Sequence, residues 1–199
     1  MTSGAVSVAG LVADVSAIRV GDRPVIVGID GRSGVGKSTL ARAIAAQTAA
    51  TVIGGDDFFA GGTTLVDAPP EHLADLCIDR QKLLRVLEDL RSGRTAAWRA
   101  FDWEAFDGRL EVALTQAAPA DVIIVEGVYS CHPDLRPVLD LRVLAKVAPD
   151  VREDRLKARE GEIGPWDRQW HAAEDWYFAT LAPDTAFDRV VDTTDEYRL

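Results

Sequence analysis

The sequence predicts an α/β fold, with a parallel sheet flanked by helices. Three observations predict it. Short runs rich in Val and Ile recur at 23–30, 50–55, 120–127, 139–148 and 187–194. Stretches with helical spacing of apolar residues separate most of them. A glycine-rich turn joins the first run to the first of these helices. Strands that alternate with helices pair in parallel, because each crossover helix returns the chain to the same end of the sheet.

The elements follow in order. Residues 1–23 are mildly apolar, lack a basic leader and are interrupted by Asp14, which predicts a short packed helix and a lead-in. "RPVIVGID" opens with Pro24 and suits a buried parallel strand. "KSTLARAIAAQTAA" is alanine-rich and helical. "ATVIGG" is a second strand that ends at Gly54 and Gly55. "IDRQKLLRVLEDLRSG" predicts a helix over 78–93, with Gly93 at its stop. The segment from about Arg94 to Gln116 breaks the alternation and is expected to project over the site. "ADVIIVEG" and "LDLRVLAKVA" are strands three and four. Pro149-Asp150 opens a helix, "PWDRQWHAAEDWYFATLA" is another, and "FDRVVDTT" is the last strand. No linker divides the chain, so residues 1–199 are expected to form one domain with a lid region at about 150–170.

Hydrophobic residues make up 47% of the chain and charged residues 27%, as in ordinary globular proteins. The net charge of −10 and the pI near 4.7 argue against a nucleic-acid partner, which calls for a basic face. No run is long enough to span a bilayer. A cytoplasmic protein without a membrane partner is expected, and its oligomeric state is open, with a homodimer among the candidates. Cys77 and Cys131 lack metal-site spacing and read as buried thiols. His72, His132 and His171 are scattered without metal spacing.

Chemistry concentrates in four places. Gly31-Arg32-Ser33-Gly34-Val35-Gly36-Lys37-Ser38 fits G-x-x-x-x-G-K-[ST] between a strand and a helix. Its glycines let backbone N–H groups face phosphate oxygens, aided by the helix N-terminus. Lys37 suits the outer phosphates, and the Ser38 hydroxyl suits Mg²⁺. Thr39 follows in the first turn. A nucleoside triphosphate is therefore expected, in a switch, a motor or a kinase. Asp56 and Asp57 end the second strand, where a carboxylate can take a proton or hold Mg²⁺ through water. Glu126 ends the third strand and can orient magnesium waters. Tyr129 and His132 follow it and lie within reach of an acceptor. Trp103, beside Asp102, is expected in a pocket; Trp170 and Trp176 are expected to pack.

"GIDGRSGVGKSTLA", "GGDDFF", "GRTAAWRAFDW…DGR", "PADVIIVEGVY" and "DVREDRLKARE" follow one another as in the uridine kinase-like P-loop kinases. That group holds uridine–cytidine kinases, nicotinamide riboside kinases, phosphoribulokinases and pantothenate kinases. The resemblance implies a three-layer P-loop NTPase-type fold with a small projecting substrate segment and a helical lid. It implies ATP and Mg²⁺, with Gly31, Ser33, Gly34, Val35, Gly36, Lys37, Ser38 and Thr39 around the nucleotide. It makes Asp56 the general base, with Lys37, Arg155 and Arg159 on the phosphates and Ser38 and Glu126 at the metal. On the acceptor side it implies Asp57, Phe58, Asp102, Trp103 and Arg109. The tyrosine-aspartate-phenylalanine of the family is Phe101-Asp102-Trp103 here. The implied acceptor is a small-molecule hydroxyl, most simply on a nucleoside or ribosyl compound. A pantothenate, sugar or antibiotic kinase is the alternative within this chemistry, and a non-catalytic nucleotide-binding module is the alternative outside it. The Asn-Lys-x-Asp signature of GTPases does not occur.

Overall fold

A computed structural model describes residues 6–194; the first five residues of the predicted lead-in and residues 195–199 lie outside the described chain. The strands are β1 (Val25–Asp30), β2 (Thr51–Gly54), β3 (Ala96–Trp98), β4 (Thr115–Ala117), β5 (Val122–Glu126), β6 (Leu141–Lys146) and β7 (Arg189–Asp192). The helices are α1 (Val8–Ala17), α2 (Lys37–Thr48), α3 (Pro70–Leu76), α4 (Arg80–Arg91), α5 (Pro149–Glu160) and α6 (Pro165–Thr180). Five strands pair in parallel in the order β2-β5-β1-β6-β7.

Alternation along the strands sends side chains to two separate cores. Val25, Val27 and Ile29 of β1 pack with Ile124, Val143 and Val191 against Leu11 and Val15 of α1 and Leu40 and Ile44 of α2. Ile26, Ile123, Val125 and Leu144 face the other way, toward Leu73, Leu83, Leu87, Ala173 and Tyr177. The result is three layers. Each such aliphatic side chain contributes roughly 1.5–3 kcal/mol when taken from water. The strand ends are fixed by polar contacts: Arg23 grips Asp140 with two hydrogen bonds, and Asp140 also accepts from the N–H of Ile26 at 2.9 Å. Ser7 caps α1 by accepting from Gly10, and Asp79 caps α4 by accepting from Lys82.

The expected projection at 94–116 carries β3 and, one residue past its end, completes β4, an antiparallel pair outside the main sheet. It is stitched to the turn after β2. The Phe101 N–H donates to the Asp57 carbonyl at 2.8 Å, and the Trp103 indole N–H to the Asp56 carbonyl at 3.2 Å. The sequence patterns did not reveal α3. It is seven residues long and opens at Pro69-Pro70, too short to display a periodic stripe. No helix among the described residues is long and apolar enough to cross a membrane.

Candidate active site

The registers Ile29↔Glu126 and Gly54↔Glu126 bring the C-terminal ends of β1, β2 and β5 together. A cavity of about 1010 Å³ opens there. Its floor includes Ser33, Gly34, Gly36, Lys37, Ser38 and Thr39 of the phosphate loop, with Asp56, Asp57 and Glu126 beside them. Two glycines make this junction possible. Gly31 has φ 149°, and a Cβ there would lie 2.5 Å from the Ala145 carbonyl oxygen. Gly127 also has φ 149°; a Cβ there would meet the Gly55 Cα at 3.2 Å and an Asp56 carboxylate oxygen at 3.4 Å. Side chains at these positions would push β1 from β6 and β5 from the Asp56 turn.

Behind the floor lies Asp30, fully buried at the end of β1. Its carboxylate accepts the N–H groups of Gly31 (2.8 Å), Tyr129 (3.0 Å) and Cys131 (2.9 Å) and the Tyr177 hydroxyl (2.8 Å). One side chain thus ties the phosphate loop, the turn after Glu126 and α6 together. Burial raises its pKa from 3.8 to about 6, against the pull of those hydrogen bonds and of Lys37. Tyr129 sits at φ 70° in this turn. A left-handed non-glycine residue costs about 1–2 kcal/mol, and the Asp30 hydrogen bond holds it there.

Lys37 is 8% exposed and donates to the Arg32 carbonyl at 3.2 Å, so its ammonium is held inside the loop's curve. Arg155 of α5 donates Nη2 to the Thr193 carbonyl at 3.1 Å. Its Nη1 is buried without a partner, and a Cβ on Gly36 would lie 3.5 Å from it. A guanidinium N–H beside a phosphate-binding loop suits an anion. Arg159 and Arg42 line the same end of the cavity.

Burial raises the Glu126 pKa, while Lys37 and a hydrogen bond from Ser38 oppose the rise. Glu126 and Ser38 are the residues that would hold Mg²⁺, with Asp56 beside them. Among the described residues no three His, Cys, Asp or Glu cluster as a metal cage. The set fits magnesium, which takes one or two carboxylates and completes its shell with phosphates and water. The two adjacent aspartates part ways. Asp57 is half-buried and accepts the Trp98 indole N–H at 2.8 Å, and burial raises its pKa. Asp56 is exposed to the cavity.

The far wall is aromatic. Phe59 is its hub, with ring centroids 4.9 Å from Trp103, 5.7 Å from Trp170 and 6.1 Å from Trp166. Phe106 packs against Trp166 at 5.0 Å. Trp166, Trp170, His171 and Glu174 come from one face of α6. Trp170 therefore lines the cavity as well as packing, whereas Trp176 packs against the core. Phe59 and Glu174 were not singled out in the sequence, and His171 was noted there only as lacking metal spacing. The signal was present as the i, i+4 series 166-170-174, with 171 alongside.

Several expected acceptor contacts lie elsewhere. Asp102 does not line the cavity: its carboxylate caps a turn by accepting the Ala105 N–H at 2.8 Å. Arg109 is exposed and forks onto Asp107, two residues away. Phe58 is buried beneath the floor, stacked on Trp98 at 5.5 Å. His132 is also buried outside the cavity; its ring stacks on Tyr177, and its Nδ1 accepts the Asp134 N–H. Burial, with Arg80 nearby, lowers its pKa to about 4, so it is neutral at pH 7. Tyr129 does line the cavity, with its ring packed on Tyr177. Gly31 and Val35 serve the loop from behind, Gly31 just past the C-terminal end of the central strand β1 and Val35 in the core.

No family model matches the chain. It is 26% identical over 186 residues to a uridine kinase from Ligilactobacillus salivarius, covering 88% of this chain and 83% of that one. It is 29% identical over 136 residues to the inorganic pyrophosphatase TTM2 of Arabidopsis thaliana, covering 68% of this chain but only 19% of that one. The structure of a possible uridine kinase from Bacillus stearothermophilus superposes with a TM-score of 0.71 at 22% identity, covering 93% of this chain and 97% of that one; the likeness is one of fold. A parallel sheet with this loop and cavity defines the three-layer α/β P-loop fold. Within that class the chain is similar to uridine kinases over most of its length, and that similarity supports a small-molecule kinase.

Proposed function

We propose that the chain transfers the γ-phosphoryl group of ATP, with Mg²⁺, to a hydroxyl of a nucleoside or other ribosyl compound. One observation carries this reading: the phosphate loop and Asp56 face a single cavity whose opposite wall is aromatic. Phosphoryl transfer asks mainly for positioning and charge stabilisation. Asp56 accepts the proton of the attacking hydroxyl as its oxygen bonds to phosphorus and the bond to the ADP oxygen breaks. Lys37 and Arg155 meet the charge on the transferring group, with Arg159 beside them. Ser38 and Glu126 would hold magnesium, which would supply further charge neutralisation. The aromatic wall offers a face to a flat base.

A second reading is a kinase of another hydroxylated metabolite. The position of Asp102 favours it, because this carboxylate, expected on the acceptor side, caps a turn instead. ADP release measured with a panel of nucleosides, sugars and pantothenate tests both. Stimulation by ribonucleosides above the rest supports the first reading. Stimulation by another class alone supports the second. Acceptor-independent hydrolysis or bare nucleotide binding contradicts both.

A further inference from the structure

Glu174 is 4% exposed yet reaches the phosphate loop. The Ser33 backbone N–H donates to its Oε2 at 3.1 Å, and the Ser33 hydroxyl donates to its Oε1. Arg152 of α5 donates to the same Oε2 at 3.2 Å and gives its Nε–H to the Ser33 carbonyl at 2.7 Å. The N–H, hydroxyl and carbonyl of one loop residue are therefore all held by two lid helices. A buried carboxylate is costly unless paired, and here the arginine and the two Ser33 donors pair it. Trp170 and Trp166 lie one and two turns before Glu174 on the same face of α6. The helix that carries much of the aromatic wall is thus fastened to the phosphate loop at its third position.

We propose that Glu174 is a positioning residue that couples the phosphate loop to the acceptor wall, so that filling the loop orders α6. The inference rests on the phosphotransfer reading above. It assigns no contact between Glu174 and either substrate. The carboxylate acts through Ser33 and Arg152.

Hydrogen exchange tests this without an acceptor. A non-hydrolysable ATP analogue with Mg²⁺ should slow exchange over 31–39 and over 165–180 in the parent. The slowing over 165–180 should reach about fivefold or more, the lower end of ordinary coupling between sites. In Glu174→Ala the slowing over 31–39 remains and that over 165–180 disappears. Glu174→Gln keeps the size and one acceptor for Ser33 but removes the charge opposite Arg152. It covers the case in which the alanine variant fails to fold, and it should show at most half the parent's slowing over 165–180. Parent-like slowing over 165–180 in either folded variant overturns the proposal. Slowing over 31–39 but not over 165–180 in the parent overturns the coupling alone. Slowing over neither region in the parent overturns the phosphate-loop reading and the coupling with it.

Discussion

The phosphate end and the acceptor end of the cavity are built differently. The phosphate end is almost one continuous piece of chain: β1, the loop 31–36 and the first turn of α2. Most of its donors are backbone groups and Lys37, with Arg155 added from α5, and its place in the sheet follows from β1. The acceptor end is assembled from the turn at 55–59, the projection at 94–116 and the helix at 165–180. Asp57 and the Asp56 carbonyl tie the projection to the turn, ring contacts of Phe59 tie both to the helix, and Asp30 and Glu174 tie that helix to the phosphate end. A contiguous site survives changes elsewhere. An assembled site depends on its ties.

Three substitutions and one pH comparison sharpen this contrast, in falling order of effect. Lys37→Ala should lower turnover about a hundred- to a thousandfold, the scale for one preorganised charge on a transition state. Its melting temperature should stay near the parent's, since the surrounding hydrogen bonds are backbone ones. A steady-state assay beside a thermal melt checks this. Asp30→Asn should destabilise the fold by about 1–3 kcal/mol, because at least one of four buried donors then faces an amide N–H₂. Denaturant titration measures it. Activity should fall too, since both ends of the cavity share this tie. Trp170→Ala should raise the acceptor KM by several-fold while ATP affinity changes little, and equal effects on both substrates would contradict the division into two ends.

The smallest effect is one of pH. The Asp30 pKa is 3.8 when exposed and about 6 when folded. A raised acid pKa contributes stability below pH 3.8 that is lost as pH rises toward 6, since the unfolded chain ionises first. Asp30→Asn lacks that loss. Its deficit in stability against the parent should therefore shrink from pH 4 to pH 6, as read by paired melts. A deficit that widens would contradict the burial of this charge.

The same contrast explains what the sequence disclosed. The five parallel strands were legible because buried runs such as "VIIVE" have no other use for consecutive Val and Ile. The phosphate loop was legible because its chemistry needs residues at fixed spacing. Glu174 was not, because its partner Ser33 is 141 positions away. Asp102 misled for the reverse reason: an aspartate between aromatic residues suits a ligand, but an N–H three residues on satisfied it first. Arg109 met Asp107 in the same way. Local hydrogen bonds outcompete distant ones in an exposed loop, and residue identity alone does not show which will form.

The central claim is that Asp56, at the meeting of the two ends, takes the acceptor proton. Turnover and ATP-analogue affinity in Asp56→Asn, with Asp57→Asn alongside, test it most directly. Both aspartates line the cavity, but the Asp57 carboxylate is already engaged by Trp98, whereas Asp56 is exposed to the cavity. The account predicts that Asp56→Asn loses about a hundred- to ten-thousandfold in turnover, the usual range for a general base. It predicts that analogue affinity stays within about threefold, because the asparagine keeps the size and the loop keeps its donors. A near-parent turnover in Asp56→Asn, or a larger loss in Asp57→Asn, would contradict it.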